Sequence, residues 1–269
     1  MKAKIFVLLF FDDGCGKDVY IAHMLRQRNM KATFAITVKN IGNDLDKSDL
    51  MYLAETGEIM SHGIIHTNLV KLLKYGHLDL VYSELRDSKI FLEKLSGLRI
   101  KGFAYPYGAY NELLKNLVNK AGYEYARSID LLSITPIVHD KYAIPVTMVD
   151  YRPTALQLLR SLFRLRFTLS DGLDYFKLKL FEEYAFKYAS CASHVSILKL
   201  MLNFLKEVNN YAKRYNRIFS VLLVLHGRRF NHNSFKIFRA ILDYIKENNT
   251  FKTLTLSKYV NILNYLLSR

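Results

Sequence analysis

The sequence predicts an α/β fold in which parallel strands alternate with crossover helices. Short runs of branched and aromatic residues have the composition of strands, and the segments between them place apolar residues at helical spacing. This alternation is typical of a parallel sheet covered by helices. The chain has 269 residues, of which 51% are hydrophobic. It is therefore long enough for one barrel-sized domain or two small ones, and too apolar for a disordered protein.

The first predicted strand, residues 5–11, is a continuous apolar run, as expected for a strand buried on both faces. The later strands are predicted from Thr, Ile, Val and Phe content between turn residues. They cover residues 32–38, 58–61, 100–104, 125–128, 143–149, 218–225 and 251–256.

Helices are predicted between these strands. Ser48 is the expected N-cap of one helix and Gly57 its end, and Gly122 ends another. The predicted helices cover residues 17–29, 48–55, 78–95, 112–120 and 234–247.

Residues 151–217 interrupt the alternation. Their pattern is helical throughout, and they contain 12 Lys and Arg against 5 Asp and Glu. Their net charge of +7 is about half of the +15 carried by the whole chain. We predict a single domain over residues 1–269, with residues 151–217 as a helical insertion.

Cysteines, N-terminus and charge set expectations for location and partners. Two cysteines, Cys15 and Cys191, are too few for a disulfide framework, and free thiols are the simpler interpretation. The basic, apolar N-terminus is similar to a signal peptide, but its apolar run stops at Asp12. We therefore expect a cytoplasmic protein. The net charge of +15 favours an anionic partner such as a membrane surface or an acidic glycan, whereas no nucleic-acid-binding motif is visible.

Four segments with chemical potential follow strand candidates, where parallel α/β folds place their functional groups. In the first, Asp12 and Asp13 end a buried strand, which is costly unless a cation or proton compensates them. In the second, His62 and His66 are four residues apart, so a helical turn would place both on one face and let them bind one metal ion. A solvated turn and two unrelated surface histidines are the simpler alternatives.

The other two segments are a turn and a histidine. Pro106 and Gly108 fix a turn that could direct a backbone N–H into a site, although an ordinary aromatic-rich turn has the same composition. His226 lies at the end of an apolar strand, where a purely structural histidine is the alternative interpretation.

Together, in this order and spacing, the four segments resemble the polysaccharide deacetylase family, the NodB-homology carbohydrate esterases. The flanking sequence is similar too. The matching stretches are Lys31-Ala32-Thr33-Phe34, Glu58-Ile59-Met60-Ser61-His62 and Glu84-Leu85-Arg86-Asp87-Ser88-Lys89. The resemblance is strong over residues 4–128, moderate over 218–260, and weak or absent over about 150–217. It implies a NodB-like fold, a distorted (β/α) barrel of about seven strands, in agreement with the strand count.

The resemblance also implies roles for individual residues. Asp12 matches the catalytic base, His226 the general acid, and the Tyr107 N–H the oxyanion donor. The metal ligands would be Asp13, His62 and His66, and Pro106 and Gly108 belong to the same substrate-facing motif as Tyr107. The implied cofactor is one divalent ion; two imidazoles and one carboxylate suit zinc, and cobalt, nickel or manganese could occupy the same site. The implied activity is removal of an acetyl group from an N-acetylated sugar or glycan.

The sequence departs from the family pattern in several places. Ala104 stands where an Arg often positions the catalytic Asp, and Arg127 could supply that cation from the next strand, near the substrate. No counterpart of the fourth motif, with its Asp and Trp, is found. Thr67 replaces a Pro that often follows the second metal histidine. These departures concern the substrate more than the metal site.

Three alternatives stay open. The substrate could be a small or lipid-linked sugar rather than a polymer, because no export signal is recognised. Residues 156–169 could form an amphipathic helix, with Arg160, Arg164 and Arg166 beside its apolar face, that lies on an anionic membrane surface or contacts an anionic carrier; a helix packed on the barrel is the simpler reading. The protein could also be a non-catalytic basic binding protein of the same fold.

Overall fold

Eight strands form one sheet in the part of the chain that the structure describes, and each pair of neighbours is parallel. The structure is a computed structural model that describes residues 5–131, 134, 140–154, 157–158 and 183–267. The strands are β1 (Ile5–Asp13), β2 (Thr33–Ile36), β3 (Glu58–Ser61), β4 (Gly102–Ala104), β5 (Tyr125–Arg127), β6 (Met148–Val149), β7 (Phe219–Leu225) and β8 (Phe251–Thr253). Their order is β5–β4–β3–β2–β1–β7–β6, and β8 pairs with the first residues of β1.

The segment between β5 and β7 joins the two ends of this sheet. Ile144 pairs with Arg127 on the edge strand β5, and Met148 pairs with Leu223 of β7. Because one short stretch contacts both ends, the sheet curls into a distorted (β/α) barrel, and the predicted fold class is confirmed. The same crossing explains why the strand predicted over 143–149 is shorter than expected. Its two parts bond to different strands and form no continuous ladder.

Helices cover the sheet between the strands. They are α1 (Gly16–Arg26), α2 (Lys47–Thr56), α3 (Leu69–Lys74), α4 (Leu78–Ser96), α5 (Glu112–Lys120), α6 (His194–Tyr215), α7 (His232–Glu247) and α8 (Leu256–Leu267). Helices α3 and α8 are not among the predicted helices. The predicted N-cap of α2 is wrong: Asp46, not Ser48, accepts the Asp49 N–H at 2.8 Å, and the Asp49 carboxylate accepts the Asp46 N–H at 3.0 Å. Gly57 ends this helix as predicted.

The described part of residues 151–217 is largely helical, as predicted. It contains α6 and a helical stretch at residues 183–189, and α6 packs against α7. Tyr188 attaches this region to the sheet, because its buried hydroxyl accepts the Val149 N–H at 2.8 Å. Residues 155–156 and 159–182, including most of the predicted amphipathic helix, lie outside the described residues. The single-domain organisation remains a prediction.

Strand β1 is the centre of the barrel and explains where the site forms. Residues Ile5–Phe11 are buried, and the Phe11 ring stacks on Phe34 with centroids 5.5 Å apart. Burying one such ring stabilises the fold by about 1.5–3 kcal/mol. This apolar strand ends at two aspartates on the edge where all parallel strands end, so polar groups from several strands meet there. Among the described helices, none is long and apolar enough to cross a membrane.

Candidate active site

A pocket of about 440 Å³ opens at the carboxyl ends of the strands. Predicted site residues from three of the four segments line it directly: Asp12 and Asp13 after β1, His62 and His66 after β3, and His226 after β7. Tyr107 and Gly108 from the remaining segment also line it. The structure therefore brings the four segments into one cavity, as their positions after strands predict.

Asp13, His62 and His66 form the one cluster of potential metal ligands found among the described residues. Their ligand atoms lie within 4.8 Å of one another. The Asp13 Oδ1 atom is 3.9 Å from His62 Nε2 and 3.7 Å from His66 Nε2. The two histidines do not lie on a helical turn, as the spacing suggested. The chain bends through the left-handed region at Gly63 and His66, with φ values of 80° and 56°, and this bend brings the two rings together.

Hydrogen bonds hold this bend and orient His62. The His62 Nδ1–H donates to the Ala104 carbonyl at 2.8 Å, so the lone pair of Nε2 faces Asp13. Burial lowers the pKa of the His62 imidazole well below its usual range, despite the opposing charge of Asp12, so the ring is neutral at pH 7. Glu84, from α4, accepts the Ile64 N–H at 2.7 Å and fixes the loop between the two histidines.

This cluster fits a divalent metal ion. It offers one carboxylate oxygen and two neutral imidazole nitrogens, a set that suits zinc and similar transition metals. The Asp13 backbone is itself fixed, because its carbonyl accepts the Asn40 side-chain amide at 2.9 Å. The ligands are therefore oriented by contacts outside the cluster, as is usual for built metal sites.

Asp12 is buried beside the cluster and is paired with Arg127. The Arg127 Nη2 atom donates to both carboxylate oxygens of Asp12, at 2.8 and 2.6 Å, and the guanidinium also covers the Phe10 ring at 5.1 Å. Burial alone would raise the pKa of Asp12, but the positive charge of Arg127 outweighs it and lowers that pKa below its usual range. Arg127 thus provides from β5 the cation that is missing at position 104, where Ala104 stands. It is fully buried, and its proposed contact with substrate remains a prediction.

The Pro106–Gly108 turn places a backbone donor at the pocket. Tyr107 lies in the left-handed region with φ 59°, and its ring packs on His66 with centroids 4.6 Å apart. Gly108, with φ 64°, is required by space as well as by conformation, because a Cβ atom there would lie 1.9 Å from Ile129. Within the described part of the chain, no acceptor is paired with the Tyr107 N–H. That donor is consistent with the predicted oxyanion role.

The structure gives His226 partners that are not among the predicted site residues. Its Nδ1–H donates to Asp150 Oδ1 at 2.7 Å, and its backbone N–H donates to Asp150 Oδ2 at 2.7 Å. His194, at the start of α6, contacts the same Oδ2 through Nε2 at 3.0 Å. Burial alone would lower the pKa of His226, but the Asp150 carboxylate outweighs it and raises that pKa.

Asp150 supplies an aspartate to the site, although no counterpart of the family's fourth motif, which contains an Asp and a Trp, is found in the sequence. A sequence signal for it existed, since Asp150 directly follows the strand candidate at 143–149, as Asp12 follows the first strand. His194 had no such signal. It lies 32 residues before His226 in a segment without strands, and only folding brings it to Asp150.

Comparisons with known proteins agree with this geometry. Residues 2–126 match the family model described as polysaccharide deacetylase. Over these residues, which are just under half of the chain, the sequence is similar to the polysaccharide deacetylase family. This range is close to the one over which the motifs resemble the family strongly, and the recognition is confirmed. No curated protein matches the sequence significantly.

Solved structures extend the likeness beyond this range. A polysaccharide deacetylase structure from Mycobacterium smegmatis aligns with a TM-score of 0.65 at 13% identity, covering 99% of this chain and 92% of that one. A mutant of the peptidoglycan deacetylase PdaC from Bacillus subtilis aligns with a TM-score of 0.60 at 13% sequence identity, and the alignment covers 100% of this chain and 96% of that one. A polysaccharide deacetylase from Bacillus cereus aligns with a TM-score of 0.55 at 18% identity, and the alignment covers 93% of this chain and 91% of that one. At these identities the comparison shows a common fold that extends over nearly the whole chain.

Proposed function

We propose that this deacetylase-family protein is a metal-dependent hydrolase that removes the acetyl group from an N-acetylated sugar or glycan. One observation carries the proposal: a buried aspartate, a three-ligand cluster and a histidine–aspartate pair meet in one pocket. The volume of that pocket, about 440 Å³, is in the range of small-molecule sites and is compatible with one sugar residue and its acetamido group. The roles of the individual residues are part of the proposal.

The reaction splits an amide with water, so a proton must leave the water and another must reach the amine. A divalent metal held by Asp13, His62 and His66 would lower the pKa of water and polarise the carbonyl. Asp12, kept ionised by Arg127, accepts the proton of the attacking water. The Tyr107 N–H donates to the oxyanion of the tetrahedral intermediate, and one such donor is worth about 3–4 kcal/mol. His226 then protonates the nitrogen as the C–N bond breaks, giving acetate and a free amine.

One of the two arginines that line the pocket favours a substrate with negative charge. Arg229 lines the pocket and lies over the Tyr151 ring at 5.5 Å, and no acidic side chain in the described residues forms an ion pair with it. Its neighbour Arg228 also lines the pocket but is already paired with Asp44. A small or lipid-linked sugar with a phosphate or carboxylate near the acetamido group would meet an uncompensated guanidinium there. We therefore propose an anionic N-acetylated sugar as the second substrate candidate.

Location in the cytoplasm and peripheral contact with an anionic membrane are also proposals. The membrane contact depends on the basic character of residues 156–169 and on the net charge of +15, and the location depends on the interpretation of Cys15 and Cys191 as free thiols. Co-sedimentation with vesicles containing anionic lipid tests the contact. Binding that is unchanged in the Arg160→Glu, Arg164→Glu double variant would contradict it.

The deacetylase proposal is tested by metal analysis and acetate release. We expect about one bound metal ion per chain after loading with zinc, cobalt, nickel or manganese, and acetate release from N-acetylated oligosaccharides. His62→Ala removes a buried ligand and should lose both metal and activity. His77→Ala, an exposed histidine at the start of α4, is the matched control and should lose neither. Absence of stoichiometric metal with every ion tested would support the non-catalytic binding protein instead.

A further inference from the structure

Asp150 is shared by two histidines, His194 and His226. The carboxylate has no solvent exposure, and its two oxygens accept three N–H groups within 3.0 Å. His226 supplies two of these donors and His194 supplies the third. Since a carboxylate without solvent can turn only if its partners turn, the three donors together fix the direction in which Oδ1 points.

His194 is itself fixed on its far side. Its Nδ1 atom is 2.9 Å from the Ser234 hydroxyl, and its ring packs edge-on against Phe230 with centroids 5.1 Å apart. Ser234 is fully buried in the first turn of α7 and lies 3.1 Å from Asn231 Oδ1. A chain of hydrogen bonds therefore runs from α7 through His194 and Asp150 to His226.

We propose that His194 is a positioning residue for the deacetylation: from the helical insertion, it holds Asp150 in the orientation that aligns His226 with the departing amine. This inference rests on the proposed function, and it gives the insertion a part in the active site. Asp150 lies at the end of the two-residue strand β6, which alone offers little rigidity. The imidazole on α6 and the hydroxyl on α7 supply the support that the short strand lacks.

The same contact affects the acidity of His226. An N–H donor on Oδ2 withdraws negative charge from Asp150, so the carboxylate stabilises the protonated His226 less than it would without that donor. Removal of the donor should therefore raise the pKa of His226. The other charged or titratable groups near His226 stay in place in such a variant: Asp12, Asp13, Asp18, His66, Tyr151, Arg228 and Arg229.

The test compares two substitutions of His194. His194→Leu removes the donor, whereas His194→Gln keeps an N–H for Asp150 and an acceptor for Ser234. We expect kcat for an N-acetylated oligosaccharide to fall about tenfold in His194→Leu, with KM and metal content unchanged, and to recover to within about threefold of wild type in His194→Gln. The alkaline limb of the pH profile of kcat should move to higher pH in the His194→Leu variant. Equal losses in both variants, or an unchanged limb, would overturn the proposal.

Two further measurements keep the proposal testable if the His194→Leu variant does not fold or if the wild-type protein releases no acetate. If His194→Leu does not fold, Ser234→Ala can be used instead. It removes the hydroxyl that holds the His194 imidazole, while the backbone N–H of residue 234 still donates to the Asn231 side chain that caps α7. We expect kcat to fall about threefold in this variant, and an unchanged kcat would overturn the proposal. NMR titration of the His226 imidazole needs no activity. A higher His226 pKa in His194→Leu supports the coupling even if wild type releases no acetate, and an unchanged value refutes it.

Discussion

The two flanks of the pocket contain the same kind of unit, a buried carboxylate paired with a cationic or titratable partner, but they shift pKa values in opposite directions. On one flank, Arg127 lowers the pKa of Asp12 against the effect of burial. On the other, Asp150 raises the pKa of His226, again against burial. In both cases the neighbouring charge outweighs desolvation. In the proposed function, the partner of each residue thus favours the ionised form of the base Asp12 and the protonated form of the acid His226.

The flanks also differ in exposure. The Asp12–Arg127 pair is almost completely excluded from solvent, whereas the His226 side chain keeps 19% of its surface exposed. A general acid must recover a proton from solvent after each turnover, and a solvent path serves that purpose. The base needs instead to be held still beside the cluster. The partner residues come from the two ends of the curled sheet: Arg127 lies on β5, and Asp150 follows β6.

The largest effect is expected from removal of the base. Asp12→Asn keeps the shape and the contact with Arg127 but cannot accept a proton, so kcat should fall about a thousandfold. Metal content should stay at wild-type level, because Asp12 is not among the three clustered ligands. Acetate release and metal analysis measure both quantities. Asp79→Asn, in the exposed first turn of α4, is the control; kcat for Asp12→Asn within tenfold of wild type would contradict the assigned role.

Removal of Arg127 should change both the free energy of unfolding and the acidic limb of the pH profile of kcat. Arg127→Met leaves Asp12 buried without its cation, which costs about 3–5 kcal/mol of the free energy of unfolding at pH 7. Asp12, with its lowered pKa, stabilises the fold above its unfolded pKa of about 3.9, and this contribution is lost as pH falls through its folded pKa. The difference between wild type and variant should therefore shrink at low pH. In the variant the pKa of Asp12 rises, so the acidic limb of kcat moves to higher pH.

Urea denaturation at several pH values measures the stability term. Arg26→Met is the matched control, because Arg26 is paired with Glu55 at the surface and its removal should cost less than about 1 kcal/mol. A loss for Arg127→Met as small as that of the control would mean that the buried pair does not stabilise Asp12.

The opposite flank should respond with the opposite sign. Asp150→Asn removes the charge that raises the pKa of His226, so the alkaline limb of kcat should move to lower pH, and kcat should fall about a hundredfold. Removal of His194 is expected to move the same limb upwards, so the two variants bracket wild type. A pH–rate series on all three proteins checks this order. Movement of both variants in one direction would disprove the model in which His194 and Asp150 act on His226 with opposite sign.

The flank that contains Asp12 and the three clustered ligand residues could be predicted from sequence because its parts are local. Asp12 and Asp13 directly follow an apolar strand, and His62 and His66 directly follow another. The rule that parallel strands end on one edge then places them together without knowledge of the loops. Only their local geometry was wrong: the two histidines converge through left-handed bends, which glycine permits and helical spacing does not reveal.

The acid flank depends on long-range contacts and was predicted in part. His226 was found at the end of an apolar strand, but Asp150 follows a strand of two residues that bonds to β7 only after the chain has left β5. His194 reaches the site from an insertion whose helical pattern reveals which face is apolar but not where the helix docks. Arg127 was identified by its position on the next predicted strand, and its contact with Asp12 followed from the curl of the sheet rather than from spacing.

The smallest expected effect concerns the substrate rather than the two flanks. Arg229→Gln removes the guanidinium over Tyr151 and should raise KM about tenfold for an N-acetylated sugar that carries phosphate, with little change for the neutral sugar, because only the anionic group loses a partner. Arg228→Gln is the matched control, since Arg228 lines the same pocket but its charge is already compensated by Asp44. KM values for the two substrates and three proteins decide the question. If Arg229→Gln changes KM equally for both substrates, Arg229 shapes the pocket without selecting charge, and a neutral glycan becomes the better substrate candidate.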